Sequence, residues 1–340
     1  MFETLVILLL ATPGISRLSQ DVPDTLPHMV AFLQDSTLPV VLRFGGDFLV
    51  AGNYARAVGD SIDCAFRGFE VLKKADVAEV NLEGPITMRG IKVKKPYNFR
   101  MHPRFLSALA SAGINVVNLA NNHIHDFGDV GLYDTFSYLD SIGIHHCGAG
   151  RNREEAHTPV VLTVRGRTIA LFGYYSGEEA PRATRAHPGV AERSLESIRH
   201  DIDSVRGRDR AAYVVVNLHW GKELAQKPGT GQIDFAHRVI DAGADLIIGH
   251  HPHVLQGVER YRSGVIAYSL GSFVFGGKSR GTYNSAVFEV QLKGGNLGYR
   301  LIPIRIERWR ALELHGEQAD TVSAYVRKLS RIFPESIFDK

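Results

Sequence analysis

The chain has little cysteine, little net charge and no long apolar run, and each shortage excludes something. Only Cys64 and Cys147 occur in 340 residues, and neither lies in a CxxC or other metal-knuckle spacing. They support neither a zinc ribbon nor a disulfide framework; buried free thiols are expected, with a Cys64–Cys147 pair as the alternative. A net charge of +3 is small for this length and argues against nucleic acid as a partner, since a dedicated binder carries a strong basic patch. The local run Lys92, Lys94 and Lys95 either attracts an anionic substrate or is a solvated loop. Leu5 to Ala11 is unbroken apolar sequence, but it is far too short to span a membrane, and no other segment approaches that length. It follows Glu3 with no Lys or Arg before it, so the positive region of a signal peptide is missing. The expectation is an N-terminal extension over residues 1–39 packed on the domain and a cytoplasmic location, with secretion or anchoring as the alternative. No repeat, low-complexity tract or linker interrupts the rest, which is ample for one large core.

What is present is an alternation of short β-branched runs with amphipathic helices, the pattern of an α/β fold. Strands are expected at residues 40–44, 77–81, 116–120, 213–218, 245–249 and 265–269. A hairpin is expected around Arg165-Gly166-Arg167, joining 160–164 to 168–173. Helices are expected over 103–112, over the turns carrying Leu132, Phe136 and Leu139, and over those carrying Leu195, Ile198, Ile202 and Val205. Two more follow, one with Ile233, Ala236 and Ile240 and the other over 320–331. Residues 286–292 and 299–306 read as strands at a sheet edge or in a second sheet. The stretch Glu178 to Pro188, rich in Ala, Arg and Pro, reads as a lid or a plain surface loop.

Five of these runs empty into a group able to bind metal: Asp47, Glu83, Asn122, His219 and the pair His251/His253. In open α/β sheets, ligands bind beyond the carboxyl ends of the strands, so these side chains are expected to converge. Singly, each has a plain structural reading: a turn residue or helix cap for Asp47, an exposed turn carboxylate for Glu83, an Asx turn for Asn122, a hydrogen-bonded core residue for His219. His251-Pro252-His253 is the most specific piece. The proline stiffens the backbone, and alternation on an extended segment would aim both rings the same way. The set mixes carboxylate, amide oxygen and imidazole with no thiolate, which suits Zn, Mn or Fe. Six ligands exceed what one tetrahedral ion needs, whereas two divalent metal ions bridged by one carboxylate would use them all.

At these residues the sequence resembles the CapA family of poly-γ-glutamate capsule biosynthesis proteins, a branch of the calcineurin-like metallophosphoesterases. The matching pieces are FGGDFLV, AEVNLEGPIT, VVNLANNHIHDFGDVGLYDT, VVVNLHWGKE, GADLIIGHHPHVLQGVE and IAYSLGSFVF, in family order over about residues 40 to 275. The resemblance implies a four-layer αββα sandwich over 40–310, followed by a C-terminal helical segment over 311–340. It further implies that Glu83 bridges two ions, that Asp47 and His253 hold one, and that Asn122, His219 and His251 hold the other. His123 would be a general acid oriented by Asp126. Lys95, Tyr97, Arg100 and Ser272 would contact the substrate. Three departures are visible. Asp47-Phe48-Leu49 lacks the histidine of the superfamily's Asp-x-His, Glu83 stands for the usual bridging aspartate, and Ser272 stands where the family has Asn.

The function implied is a metal-dependent hydrolase acting on an anionic small molecule or polymer, through a phosphoester or a γ-glutamyl amide. The alternative is a non-catalytic subunit of a capsule machine that binds metal and polymer.

Overall fold

Residues 38–58, 65–275 and 282–339 are described by the structure, a computed structural model. The Leu5–Ala11 run, residues 1–37 of the N-terminal extension and Cys64 lie outside the described residues.

The first half of the fold runs β1 (Val40–Leu49), α1 (Gly52–Val58), β2 (Val77–Leu82), α2 (Leu106–Ser111), β3 (Val116–Asn118), α3 (Gly128–Ser141) and β4 (His145–Cys147). The second runs β5 (Ala149–Gly150), α4 (Arg153–His157), β6 (Val160–Val164), β7 (Arg167–Tyr175), β8 (Gly189–Val190), α5 (Leu195–Arg208), β9 (Tyr213–His219), α6 (Thr230–Asp241), β10 (Leu246–His250), β11 (Val258–Tyr261) and β12 (Gly264–Ala267). The chain then returns to the first sheet with β13 (Ser272–Phe275), β14 (Thr282–Lys293), β15 (Asn296–Glu307) and β16 (Arg310–Glu313), and α7 (Gly316–Ser330) follows.

One sheet has the order β16-β15-β14-β1-β2-β3-β4, with β13 also on β1; the other has the order β11-β12-β10-β9-β7-β6. Side chains alternate across each strand, and here both faces are apolar, so three separate cores form. Leu42, Phe44, Val77 and Val116 meet Ile169, Leu171, Val215 and Ile248 between the sheets. The opposite faces of β2 and β3, with Ala78, Val80 and Val117, pack on Leu109, Leu132, Phe136 and Leu139 of α2 and α3. Phe172, Val214, Val216 and Ile247 pack outward on Ile198, Ile202 and Val205 of α5 and on Ala236, Val239 and Ile240 of α6. Three cores between four layers make the αββα sandwich. Each fully buried aliphatic or aromatic side chain contributes about 1.5–3 kcal/mol, so the layers are held by area rather than by any single contact.

The hairpin expected at Arg165-Gly166 is present, with both residues at positive φ (47° and 75°), the signature of a tight primed turn. One strand assignment is corrected. β14 and β15 belong to the first sheet; β14 is interior, between β1 and β15, whereas β15 is paired on its far side only at residues 304–307, by β16, and is an edge before them. A polar feature fixes the join, because Arg43, Glu289 and Arg300 are in register across β1, β14 and β15. The two guanidinium groups share the buried Glu289 carboxylate, at 2.6 and 3.0 Å. Among the described residues no helix is long and apolar enough to cross a membrane.

β1, β2 and β3 are mutually parallel, as are β7, β9, β10 and β12. Their carboxyl ends therefore gather on one edge of each sheet, and the candidate site lies there. The edge is opened by a change of partner along β1. Residues 40–44 pair with β14, whereas Asp47 and Leu49 pair with β13. Gly46 sits at the switch, and a Cβ there would lie 1.8 Å from the Gly271 carbonyl oxygen. The close approach lets Asp47 N donate to Gly271 O at 3.0 Å, which sets the aspartate in place.

Candidate metal centre

Asp47 is near the end of β1, Glu83 follows β2 directly, Asn122 lies four residues past β3, His219 ends β9, and His251 follows β10. All six proposed donors are brought together. Asp47 and Glu83 are fully buried and His219 is 1% exposed.

The donors form two groups that share Glu83. Asp47, Glu83 and His253 make one, and Glu83, His219 and His251 the other. In the first, His253 Nδ1 is 2.9 Å from Asp47 Oδ2, and its Nε2 is 3.5 Å from Glu83 Oε1. In the second, His219 Nε2 is 3.8 Å from Glu83 Oε1 and 2.9 Å from Asn122 Oδ1, and the His219 and His251 rings are 4.8 Å apart. Donors sharing one ion at about 2.1 Å stand about 3.0–3.4 Å from each other, so these separations are close to those of a ligand set. Glu83 Oε1 and His251 Nδ1 are buried without a hydrogen-bond partner. Buried polar atoms ordinarily have partners, so orphaned donor atoms on residues of these two groups fit divalent metal.

The electrostatics agree. Burial and the neighbouring Asp47, Glu223 and Asp126 carboxylates push the Glu83 pKa well above the usual range. Burial acts on Asp47 in the same direction, but hydrogen bonds and charge from His250 and His253 outweigh it and hold Asp47 well below its ordinary value. Burial, then the nearby His251, lowers His219; burial, then His253, lowers His251. Neutral imidazoles are the form that binds metal.

The histidine pair departs from the extended geometry expected of it. His251 and His253 have φ of 95° and 57°, left-handed conformations that cost roughly 1–3 kcal/mol each. Their rings therefore do not aim the same way. They stand 6.2 Å apart, one in each donor group. The reason is visible at the turn: His251 N points at Asp47 Oδ2 (3.2 Å) and Leu224 N bonds Pro252 O (2.8 Å), folding the segment over the site.

His123 Nδ1 is 2.8 Å from Asp126 Oδ2, so the proposed proton-handling pair is in contact. Phe99 packs on the His123 ring at 4.5 Å. Lys95 is not the solvent-facing cation its sequence run suggests. Its side chain is 9% exposed, ion-paired with Asp126, and donates to Asn122 O. Lys92 and Lys94 are exposed, as is Tyr97, and the Arg100 guanidinium lies over the Phe127 ring at 4.7 Å. Ser272 is buried on β13 in register with Asp47, in the wall behind the donors. Leu49, at the missing histidine's position, packs with Ala51, Phe99 and Phe275, and Phe275 lies 4.7 Å from the His253 ring. Glu179, in the 178–188 stretch, is fastened to the site by its backbone oxygen on Lys95 and its carboxylate on the Tyr175 hydroxyl.

Five supporting residues escaped the sequence reading: Asn81, Asn118, Asn121, Asn217 and His250. Asn81 Nδ2 donates to Asp47 Oδ1 at 2.9 Å, and Asn81 Oδ1 accepts from Asn118 (2.9 Å) and Asn121 (3.2 Å). His250 Nδ1 faces Asp47 Oδ1 at 3.5 Å, and its Nε2 meets Asn217 Oδ1 at 3.2 Å. A signal for the asparagines was available: Val-Asn-Leu recurs at 80–82, 117–119 and 216–218, each time at the end of a buried strand. Buried amides persist only where they are bonded.

The profile of the family described as bacterial capsule synthesis protein PGA_cap matches residues 41–277. The chain belongs to that family. It is 34% identical to the capsule biosynthesis protein CapA of Bacillus anthracis over 69% of this chain and 59% of that protein. It is 32% identical to the PGA biosynthesis protein CapA of Bacillus subtilis over 77% of this chain and 70% of that one. A probable polyglutamine synthesis accessory protein of Mycobacterium tuberculosis is 31% identical over 76% of this chain and 73% of its own length. The NAD nucleotidase structure from Haemophilus influenzae aligns over 86% of this chain and 56% of that one, at 13% identity and a TM-score of 0.44, too slight a likeness to argue from. The PGA_cap match spans all six donors, together with His123, Asp126 and Ser272.

Proposed function

We propose that the chain is a metal-dependent hydrolase of the PGA_cap family, acting on an anionic substrate in poly-γ-glutamate capsule biosynthesis or a related pathway. The observation that carries this reading is Glu83, whose Oε1 stands between two donor groups with no hydrogen bond of its own. Two divalent ions would be held here, one by Asp47, His253 and Glu83 and the other by Glu83, Asn122, His219 and His251. The chemistry such ions supply is water made acidic enough to attack near neutral pH and a polarised bond at the point of attack.

The chain's own residues supply the rest. His123 holds a proton toward the departing oxygen or nitrogen and releases it as that bond breaks, and Asp126 fixes the ring through Nδ1. Asn81 steadies Asp47, and the apolar wall of Leu49, Phe99 and Phe275 limits water on the His253 side. Exposed Lys92 and Lys94 draw the anionic substrate toward this edge. The test is hydrolysis by the Mn-, Zn- or Fe-loaded protein of phosphodiesters and γ-glutamyl oligomers. Turnover lost on His123→Ala with metal retained supports the assignment; no turnover with any metal overturns it. The name of the mycobacterial relative, an accessory protein, favours the second reading, a metal- and polymer-binding subunit. That reading requires polymer binding without turnover in the same assays.

A further inference from the structure

Lys95 occupies a place in the site that neither a substrate cation nor a surface residue would take. Its side chain is 9% exposed and reaches Asp126 Oδ1, the Asn122 backbone oxygen and, at 3.5 Å, the Glu179 backbone oxygen. The ammonium thus lies against three oxygens, one of them a carboxylate. The neighbouring Lys92 and Lys94 are exposed, so the three lysines divide into two outward charges and one inward.

The segment carrying Lys95 is braced around Asp126. Val93 N donates to Asp126 O at 3.0 Å, Lys95 N to Val93 O at 3.0 Å, and Phe99 N to Asp126 Oδ2. Asn98 Nδ2 closes on Lys95 O at 3.1 Å. Asp126 Oδ2 thus receives Phe99 N and His123 Nδ1, while Lys95 faces Oδ1. With one oxygen alone engaged, a carboxylate turns about its Cβ–Cγ bond and exchanges oxygens. Engaged on both, it holds one plane, and the imidazole bonded to it holds one orientation. Through Asn122 O the same ammonium also steadies the amide that faces His219.

We propose that Lys95 is a positioning residue for the His123–Asp126 pair and for Asn122, and does not bind substrate. The inference rests on the hydrolase reading above. When the bond to the leaving oxygen breaks, its electron pair stays on that oxygen and the proton moves there from His123 Nε2. The imidazole is left neutral, with its Nδ1 hydrogen on Asp126. Lys95 sets the direction of that transfer without touching the substrate.

The test compares wild type, Lys95→Met, Lys95→Arg, Asp126→Asn and the Lys95→Met/Asp126→Asn double variant, all as full-length metal-loaded protein. Substrates are a p-nitrophenyl phosphodiester, whose leaving group departs without a proton, and an alkyl phosphodiester, whose leaving group needs one. Lys95→Met should lower kcat on the alkyl ester roughly 10- to 100-fold, with KM within about threefold and the p-nitrophenyl ester little affected. Lys95→Arg should restore most of the loss, and the double variant should be no slower than Asp126→Asn. A raised KM at unchanged kcat, equal losses on both esters, or losses that multiply in the double variant would overturn the proposal.

A measurement without turnover separates it from the hydrolase reading. In zinc-loaded protein with 15N-labelled histidine, read at a pH high enough for the ring to have given up its Nε2 proton, long-range NMR correlations should show the remaining His123 hydrogen held on Nδ1 in wild type and shared between both nitrogens in Lys95→Met. An unchanged His123 signature refutes the role of Lys95 whether or not any substrate is cleaved. Absent turnover with a changed signature refutes the hydrolase reading alone.

Discussion

Replacing Glu79 by Gln should stabilise the protein at alkaline pH and leave it unchanged at acid pH. Glu79 is on β2 between the two sheets and 1% exposed. Its Oε1 accepts from Asn217 Nδ2 at 2.8 Å, Cys147 Sγ lies 3.9 Å away, and Oε2 has no partner. Burial raises its pKa from 4.5 to about 8, against the smaller lowering effects of Asn217 and Cys147. The pKa is raised in the folded state, so stability is fully present below pH 4.5 and is lost as pH climbs through about 8. At roughly 1.4 kcal/mol per pH unit, the loss across that window is about 5 kcal/mol, an upper bound because water and side chains relax around the ionised carboxylate. Gln keeps the acceptor for Asn217 and has nothing to ionise. The two proteins should therefore melt together at pH 4.5, and at pH 8.5 the variant should melt roughly 5–10 °C higher. Calorimetry at both pH values, with the same chelator throughout, reads the difference, and other titrating groups cancel between the two proteins. A melting gap equal at the two pH values, or a variant less stable at pH 8.5, would refute the reasoning.

Three further outcomes are expected. His251→Ala should bind one divalent ion in place of two and lose turnover, as read by elemental analysis of the purified protein; unchanged metal content would remove His251 from the ligand set. Gly46→Ala should cost at least about 3 kcal/mol or prevent folding, since its Cβ would lie 1.8 Å from a backbone oxygen; a denaturant midpoint like wild type's would show that β1 and β13 separate easily. Lys92→Ala/Lys94→Ala should raise KM for an anionic substrate a few-fold and flatten its salt dependence, leaving kcat unchanged; a loss confined to kcat would contradict a steering role.

Much of the fold was legible because both sheets are covered on both faces, so the central strands stand out as apolar runs and the helices as single stripes. The donors were legible for a related reason. Asp47, Glu83, Asn122, His219 and His251 each lie at the end of such a run or within a few residues of it, and parallel strands carry those ends to one edge. What was not legible depends on partners distant in sequence. The placement of β14 beside β1 is set by Arg43 meeting Glu289, 246 residues away. The left-handed backbone at His251 and His253 follows from Asp47 and Leu224 closing on that turn, which local propensity does not encode. Lys95 reads as one of three equivalent lysines until Asp126 is seen beside it. The asparagines of the three Val-Asn-Leu segments look like ordinary strand termini until their bonds are seen: Asn81 to Asn118 and Asp47, and Asn217 to Glu79 and His250.

The central claim is that Glu83 joins two ions, and metal stoichiometry tests it most directly. The protein and its Glu83→Gln variant would be stripped with chelator, titrated with Mn2+ or Zn2+ by calorimetry, and counted by elemental analysis. The expected result is two divalent ions per wild-type chain and loss of both, or a large fall in affinity at both sites, in Glu83→Gln. A wild-type chain that binds no divalent ion, or a Glu83→Gln variant that binds both as tightly as before, would contradict it.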